Sequence, residues 1–214
     1  MDGDINVYIS VEDAVTKAVV ERLLGYCSPR LKVFKDIPAR GGEIKNKISS
    51  LIKLSENKPV VVLIDLDNNG CAPALKSQLL HSEKTNADFI FNVAIDEAEA
   101  WLMADRENFS KYFHFPIDLI PCSSKSKMGE MKALQELCFP MKSSWVLTHE
   151  FMSHSTDSEL KAQMVATGTA SKGKEYNSAI LPFIADFWDI DAASKESDSL
   201  RRMITRLNNL VARW

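Results

Sequence analysis

The stretch Val60-Val61-Val62-Leu63-Ile64-Asp65-Leu66-Asp67-Asn68-Asn69-Gly70 restricts the possible folds more than any other part of the chain. Five consecutive aliphatic residues, mostly β-branched, read as a strand buried on both faces, and such strands belong to parallel sheets covered by helices. Asp65 and Asp67 alternate around Leu66, so strand pleating would send both carboxylates to one side of the backbone. Asn68, Asn69 and Gly70 then break the strand. Open α/β sheets bind ligands beyond the carboxyl ends of their strands. Two convergent carboxylates there fit a hard divalent cation, Mg²⁺ or Mn²⁺. A plainer role is open as well: one aspartate could cap the following helix.

The flanking segments fit the same architecture. Ile5 to Val11 alternates like a strand and delivers Glu12 at its end. An amphipathic helix is expected from Asp13 to about Tyr26, with Ser10 or Glu12-Asp13 near its start. Leu31 to Lys35 reads as a second strand, and Arg40-Gly41-Gly42 as a turn. The apolar stripe Ile44, Ile48, Leu51, Ile52 marks a second helix, and a third is expected from about Ala72 to Leu80. Phe89 to Ile95 is the fourth strand, running into an acid-led helix over Asp96 to Asp105. Alternating strands and helices joined by right-handed crossovers build a parallel, helix-covered sheet.

Beyond Asp105 the pattern changes. Phe109, Tyr112, Phe113, Phe115, Pro116 and Pro121 read as a turn-rich connection, followed by a helix from about Glu130 to Leu137. Residues 143–174 are polar and resist assignment, whereas Tyr176 to Trp188 and Asp198 to Trp214 read as helices. The expected division is an α/β core over residues 1–106 and a largely helical extension over 107–214. On the last helix Leu200, Met203, Ile204, Leu207 and Leu210 form a stripe that serves either intramolecular packing or a homo-oligomer.

Charge limits the partners. At 214 residues with a net charge of −3, the chain has no global attraction for nucleic acid, so such binding needs a local basic patch, a metal ion or a partner. Cys27, Cys71, Cys122 and Cys138 are scattered, without a C-x-x-C pair, which argues against a structural zinc site. They read as buried thiols of a reducing, cytoplasmic compartment. The first residues lack a signal-peptide pattern, and no apolar run approaches the ~20 residues that cross a bilayer, so no membrane role is expected.

Three expected strands end in acids: Glu12 after the first, Asp65 and Asp67 after the third, and Asp96, Glu97 and Glu99 after the fourth. In a parallel sheet these ends share one edge. Gathering so many carboxylates is costly unless cations neutralise them.

A strand ending in glutamate, a helix, a strand, a helix and a strand ending in Asp-x-Asp resembles the Toprim fold of topoisomerases, primases and the overcoming-lysogenization-defect nucleases, over roughly residues 5–105. Within it, Ile95-Asp96-Glu97-Ala98-Glu99-Ala100-Trp101-Leu102-Met103-Ala104-Asp105 is similar to the Glu-x-Glu-x-Trp-Leu-x-x-Asp stretch of uncharacterised bacterial Toprim-like proteins, often encoded beside ATPases in defence loci. Many Toprim sequences carry glycine after the glutamate and an acid four residues beyond it, where this chain has Asp13 and Thr16. The resemblance implies a metal-dependent nuclease in an antiviral defence system, with nucleic acid as substrate and Glu12, Asp65 and Asp67 as metal ligands. Glu97 and Glu99 become second-metal or outer candidates, although they could also serve the positive end of their own helix. No Walker A pattern is present, so ATP hydrolysis would come from a separately encoded ATPase.

A lysine commonly completes such nuclease sites. Gly168-Thr169-Ala170-Ser171-Lys172-Gly173-Lys174 is the expected source, with glycines that make the backbone compliant and Lys174 slightly preferred over Lys172. A solvated surface loop is the competing reading. Lys125, Lys127 and Lys132 could form a basic stripe, and Arg40 could meet phosphate. His149 and His154 fit surface or partner contacts better than metal ligation. Trp101 fits the core. A different class of function stays open: a non-catalytic Toprim-like interaction subunit that binds a partner ATPase or nucleic acid.

Overall fold

The computed structural model describes residues 3–39, 43–67, 70–81, 83–126 and 134–214. The expected turn at Arg40-Gly41-Gly42, the strand breakers Asn68 and Asn69, and Lys127 and Lys132 of the basic stripe lie outside the described residues, as does the side chain of Lys125. The chain is α/β and divides into two compact units: residues 1–94 with 202–214, and residues 95–201.

In the first unit the strands are β1 (Ile5–Ser10), β2 (Leu31–Asp36), β3 (Val60–Asp65) and β4 (Phe89–Ala94), all parallel in the order β2-β1-β3-β4. Val60 to Ile64 are buried because β3 is an inner strand with neighbours on both sides. Helices α1 (Ala14–Cys27), α2 (Ile44–Leu54) and α3 (Ala72–Leu80) fall where the apolar periodicity puts them. Asp13 caps α1: its carboxylate accepts from the Thr16 N–H at 2.8 Å, which also explains an aspartate rather than a glycine after Glu12. Val19, Val20, Leu23 and Leu24 then bury the inner face of α1.

The second unit is mainly helical: α4 (Ala98–Met103), α5 (Arg106–Tyr112), α6 (Ser143–His149), α7 (Ser158–Met164), α8 (Tyr176–Pro182), α9 (Ile190–Glu196) and the start of α10 (Asp198–Arg213). A two-stranded antiparallel ribbon pairs β5 (Ser124–Ser126) with β6 (Leu134–Glu136). Two expectations are corrected here. Arg106–Tyr112 is helical rather than turn-rich, because Phe109 and Phe113, one turn apart, are both fully buried and meet Phe183 at 5.0 and 5.9 Å between ring centres. Leu134–Glu136 is a strand rather than the end of a helix. There the Glu136 carboxylate accepts from the Ser197 hydroxyl at 2.7 Å and the Ser199 N–H at 2.6 Å, a tertiary demand that local propensity does not encode. Residues 143–174, unassigned from sequence, form α6, a 3-10 turn over Phe151–His154, and α7.

Trp101 is fully buried, and its indole N–H donates to the Ser199 hydroxyl at 2.8 Å. The cysteines are free, but the expectation of buried thiols fails at Cys122 and Cys138, which are exposed. Burial pushes the half-buried Cys27 thiol up to about 11. Leu200, Met203, Leu207 and Leu210 are fully buried, so the stripe on α10 is used within the chain. Among the described residues no helix is long and apolar enough to cross a membrane.

Candidate functional site

In the first unit, register brings Glu12 and Asp65 to one edge of the sheet. Ser10 of β1 lies opposite Val62 of β3. Glu12 follows two residues beyond Ser10, and Asp65 three beyond Val62, so both sit at the carboxyl ends of neighbouring strands about 4.8 Å apart. Both are half-buried. The strand stops at Asp65, so pleating governs only Asp65 and Leu66. Leu66 is buried and its N–H still donates to the Ala94 carbonyl at 2.9 Å. Asp67 is exposed at φ 50°, a left-handed conformation that aspartate tolerates better than most residues. The turn, rather than strand alternation, therefore sets where Asp67 points.

Among the described residues no three His, Cys, Asp or Glu side chains are grouped as a metal-binding cluster. The donor chemistry at the edge nonetheless suits a hard cation. Mg²⁺ is held through one or two carboxylates, completed by waters and substrate phosphates, rather than in an all-protein cage. Glu12, Asp65 and Asp67 supply oxygen donors of that kind at a partly open edge.

The acids of the second unit have a different setting. Asp96 adopts φ 68°, and its carboxylate accepts from the Ser143 N–H at 3.0 Å. Glu97 accepts from the Ser144 N–H at 2.8 Å and the Ser143 hydroxyl at 3.3 Å, with the Lys142 ammonium 3.7 Å away. Together they satisfy the open N–H groups that begin α6. They thus serve the N-terminus of another helix rather than that of α4. Burial pushes Asp96 up to about 6 against the opposing Ser143 N–H bond, and the charges of Glu97 and Glu99 add to the rise. Glu99, 2% exposed, accepts from the Lys172 ammonium and the Tyr176 hydroxyl, each at 2.8 Å. Lys172 also lies over the Tyr176 ring, 4.5 Å from its centre.

Of the two candidate lysines, Lys172 is thus drawn to Glu99 and Lys174 is exposed. The loop holding them is less compliant than expected. A Cβ at Gly173 would collide with the Gln163 carbonyl oxygen and come within 2.6 Å of the Met164 carbonyl, so this glycine permits close backbone packing. His149 stacks on Trp145 at 4.3 Å, its Nδ1 lies 3.0 Å from both the Thr148 hydroxyl and the Trp145 carbonyl, and His154 is exposed. Sequence reading missed Ser143, Ser144, Lys142 and Tyr176 as partners of the acids. The only local signal was Ser-Ser opening an apolar helix.

Comparison of the chain with family models, with curated proteins and with solved structures found no match.

Proposed function

We propose that this chain is a Toprim-like, divalent-metal-dependent nuclease. In this reading it hydrolyses phosphodiesters of DNA or RNA as the effector of an antiphage system driven by a separately encoded ATPase. One observation carries the reading: acids from β1 and β3, far apart in sequence, end neighbouring parallel strands at the edge where α/β sheets bind ligands. Glu12, Asp65 and Asp67 would hold Mg²⁺ or Mn²⁺. When bound, the cation supplies Lewis acidity toward the scissile phosphate and lowers the pKa of its water. The chain's own contribution is to place Glu12 and Asp65 at the ends of neighbouring strands and Asp67 in the turn that follows, on a sheet held in place by the buried aliphatic body of β3. Glu97 and Glu99 belong to the other compact unit, so the proposal rests on the first three acids.

The test is incubation of purified protein with plasmid, single-stranded DNA and tRNA in Mn²⁺ or Mg²⁺, alone and with the partner ATPase. Asp65→Asn and Asp67→Asn are compared with wild type; asparagine keeps the shape and tolerates the left-handed turn at position 67. Metal-dependent cutting that both substitutions abolish supports the nuclease. A wild-type protein that binds nucleic acid or the ATPase yet never cuts leaves the interaction subunit as the function. Lys172→Ala and Lys174→Ala, assayed alongside, assign the lysine that assists.

A further inference from the structure

Strand β2 is one edge of the sheet, and midway along it the pairing with β1 slips. Val33 faces Val7 but Lys35 faces Tyr8, so Phe34 is the extra residue of a bulge, a feature that re-aims side chains. The Phe34 ring meets the Tyr8 ring edge-on, 5.2 Å between centres at 82°, and the Lys58 ammonium lies 5.2 Å from the Phe34 ring centre. That separation is within cation–π reach. Lys32 and Lys35, which face Asn6 and Tyr8 of β1, belong to the same side of the sheet, since side chains two apart along a strand share a face. The opposite side is closed by α1, whose Lys17 reaches Asp36, the partner of Ile9, at 3.1 Å. Tyr8 and Lys58 hold the ring without covering it: Phe34 stays 54% exposed, and Lys32 and Lys35 are exposed beside it. Among the described residues no carboxylate pairs with Lys32, Lys35 or Lys58.

A bulge and lysines on an edge strand keep it from pairing with another strand, which argues against a second copy of the chain as the occupant. They do not account for an aromatic ring fixed in the open. The other unit provides a contrast. Phe187 is equally exposed and meets Tyr112 at 5.0 Å, but its chain neighbour is the exposed Asp186, and burial followed by the Asp186 charge pushes the Tyr112 hydroxyl up. An open ring among ammonium groups is complementary to a polyanion that carries flat rings; one beside a carboxylate is not. In a chain of net charge −3, the patch around Phe34 supplies the local attraction that nucleic-acid binding requires. Bases of a single strand stack on such rings while lysines meet the backbone, whereas the bases of a duplex are already stacked on one another. Tyr8 also precedes Glu12 by four residues, roughly 13 Å along an extended chain, which sets the patch on the approach to the acids at the sheet edge.

We infer that Phe34, backed by Tyr8, is a stacking platform for a base of single-stranded nucleic acid, with Lys32, Lys35 and Lys58 meeting the adjoining phosphates. The inference deepens the proposed function and rests on it for the choice of nucleic acid as the polyanion.

The experiment measures binding of a labelled oligothymidylate to the full chain in EDTA across a salt series, beside an abasic strand of equal length and a duplex. The variants are Phe34→Ala, Phe34→Tyr, Lys32→Ala/Lys58→Ala and the control Phe187→Ala, each checked for folding by thermal melting. Phe34→Ala is expected to bind oligothymidylate about tenfold more weakly, the scale of one lost base–aromatic stack, and to bind the abasic strand and the duplex as wild type does. Phe34→Tyr and Phe187→Ala are expected to bind oligothymidylate like wild type. The lysine variant is expected to lower the salt slope by roughly 0.7 for each cation removed. The inference is overturned if wild type does not bind oligothymidylate, if Phe34→Ala matches Phe187→Ala, or if Phe34→Ala weakens binding of the intact and abasic strands alike. An effect of Phe34→Ala on self-association in place of one on binding makes the occupant a second copy and overturns it as well. Binding that needs Phe34 while no protein cuts in Mn²⁺ removes the nuclease and keeps the platform; cutting by a wild type whose binding is indifferent to Phe34 does the reverse.

Discussion

The two units treat their acids in opposite ways. Glu97, Glu99, Asp105 and Glu136 of the second unit are 2–6% exposed, and each meets hydrogen-bond donors supplied by its own unit. Glu12, Asp65 and Asp67 of the first unit stand half-buried or exposed at the ends of strands. A buried carboxylate must be satisfied within the fold, since an unpaired one costs several kcal/mol. The comparison thus separates buried acids satisfied by donors of their own unit from acids at strand ends that solvent still reaches, although Glu97 and Glu99 were read from sequence in one set with Glu12, Asp65 and Asp67.

The largest expected effect tests that separation directly. Asp65→Asn or Asp67→Asn should lower metal-dependent cleavage per folded molecule by about a hundredfold or more, the scale of losing a metal ligand's support, with folding followed by thermal melting in EDTA. A matching loss of melting temperature would erase the distinction. Glu99→Ala should do the opposite, destabilising the protein by about 3 kcal/mol in urea unfolding because Tyr176 and Lys172 both lose their acceptor. Cleavage per folded molecule is expected to survive if Glu99 is structural, and its abolition would return Glu99 to the metal set. Gly173→Ala should cost roughly 2 kcal/mol through the clash with the backbone of residues 163–164. Asp13→Ala removes one helix cap and should cost about 1 kcal/mol.

The smallest effect is a pH dependence at Asp105. Burial pushes its carboxyl above the usual carboxylate range, while N–H groups of Asp189 and Asn108 pull it back down. A folded-state value above the unfolded one means that the native protein binds more protons between the two. The contribution is therefore greatest below the unfolded value of about 3.9 and is lost as pH rises through the folded value. Asp105→Asn can still accept from Asp189 and Asn108 and should flatten that part of the stability curve measured from acid to neutral pH. An unchanged curve would show that Asp105 is not the group responsible.

Much of the first unit was legible because its signals are local and strong. An uninterrupted aliphatic run, three periodic helices and acids at strand ends require nothing from the rest of the chain to be noticed. The placement of Glu97 and Glu99 was not legible. Their partners lie 46–77 residues away in sequence, and an acid at the start of a helix looks the same whether it meets a cation, its own helix or the N–H groups of another. The same holds for Gly173, expected to make the backbone compliant but needed for close packing.

By itself, the sequence determined the parallel helix-covered sheet, the strand order of acids along the chain and the net negative charge, because hydrophobic period and composition act at short range. The tertiary structure alone decided that Asp96, Glu97 and Glu99 are tied to donors far along the chain. It also decided that Arg206 bonds the edge strand β4. Burial and partner choice are long-range properties, set by which distant segments exclude water from one another.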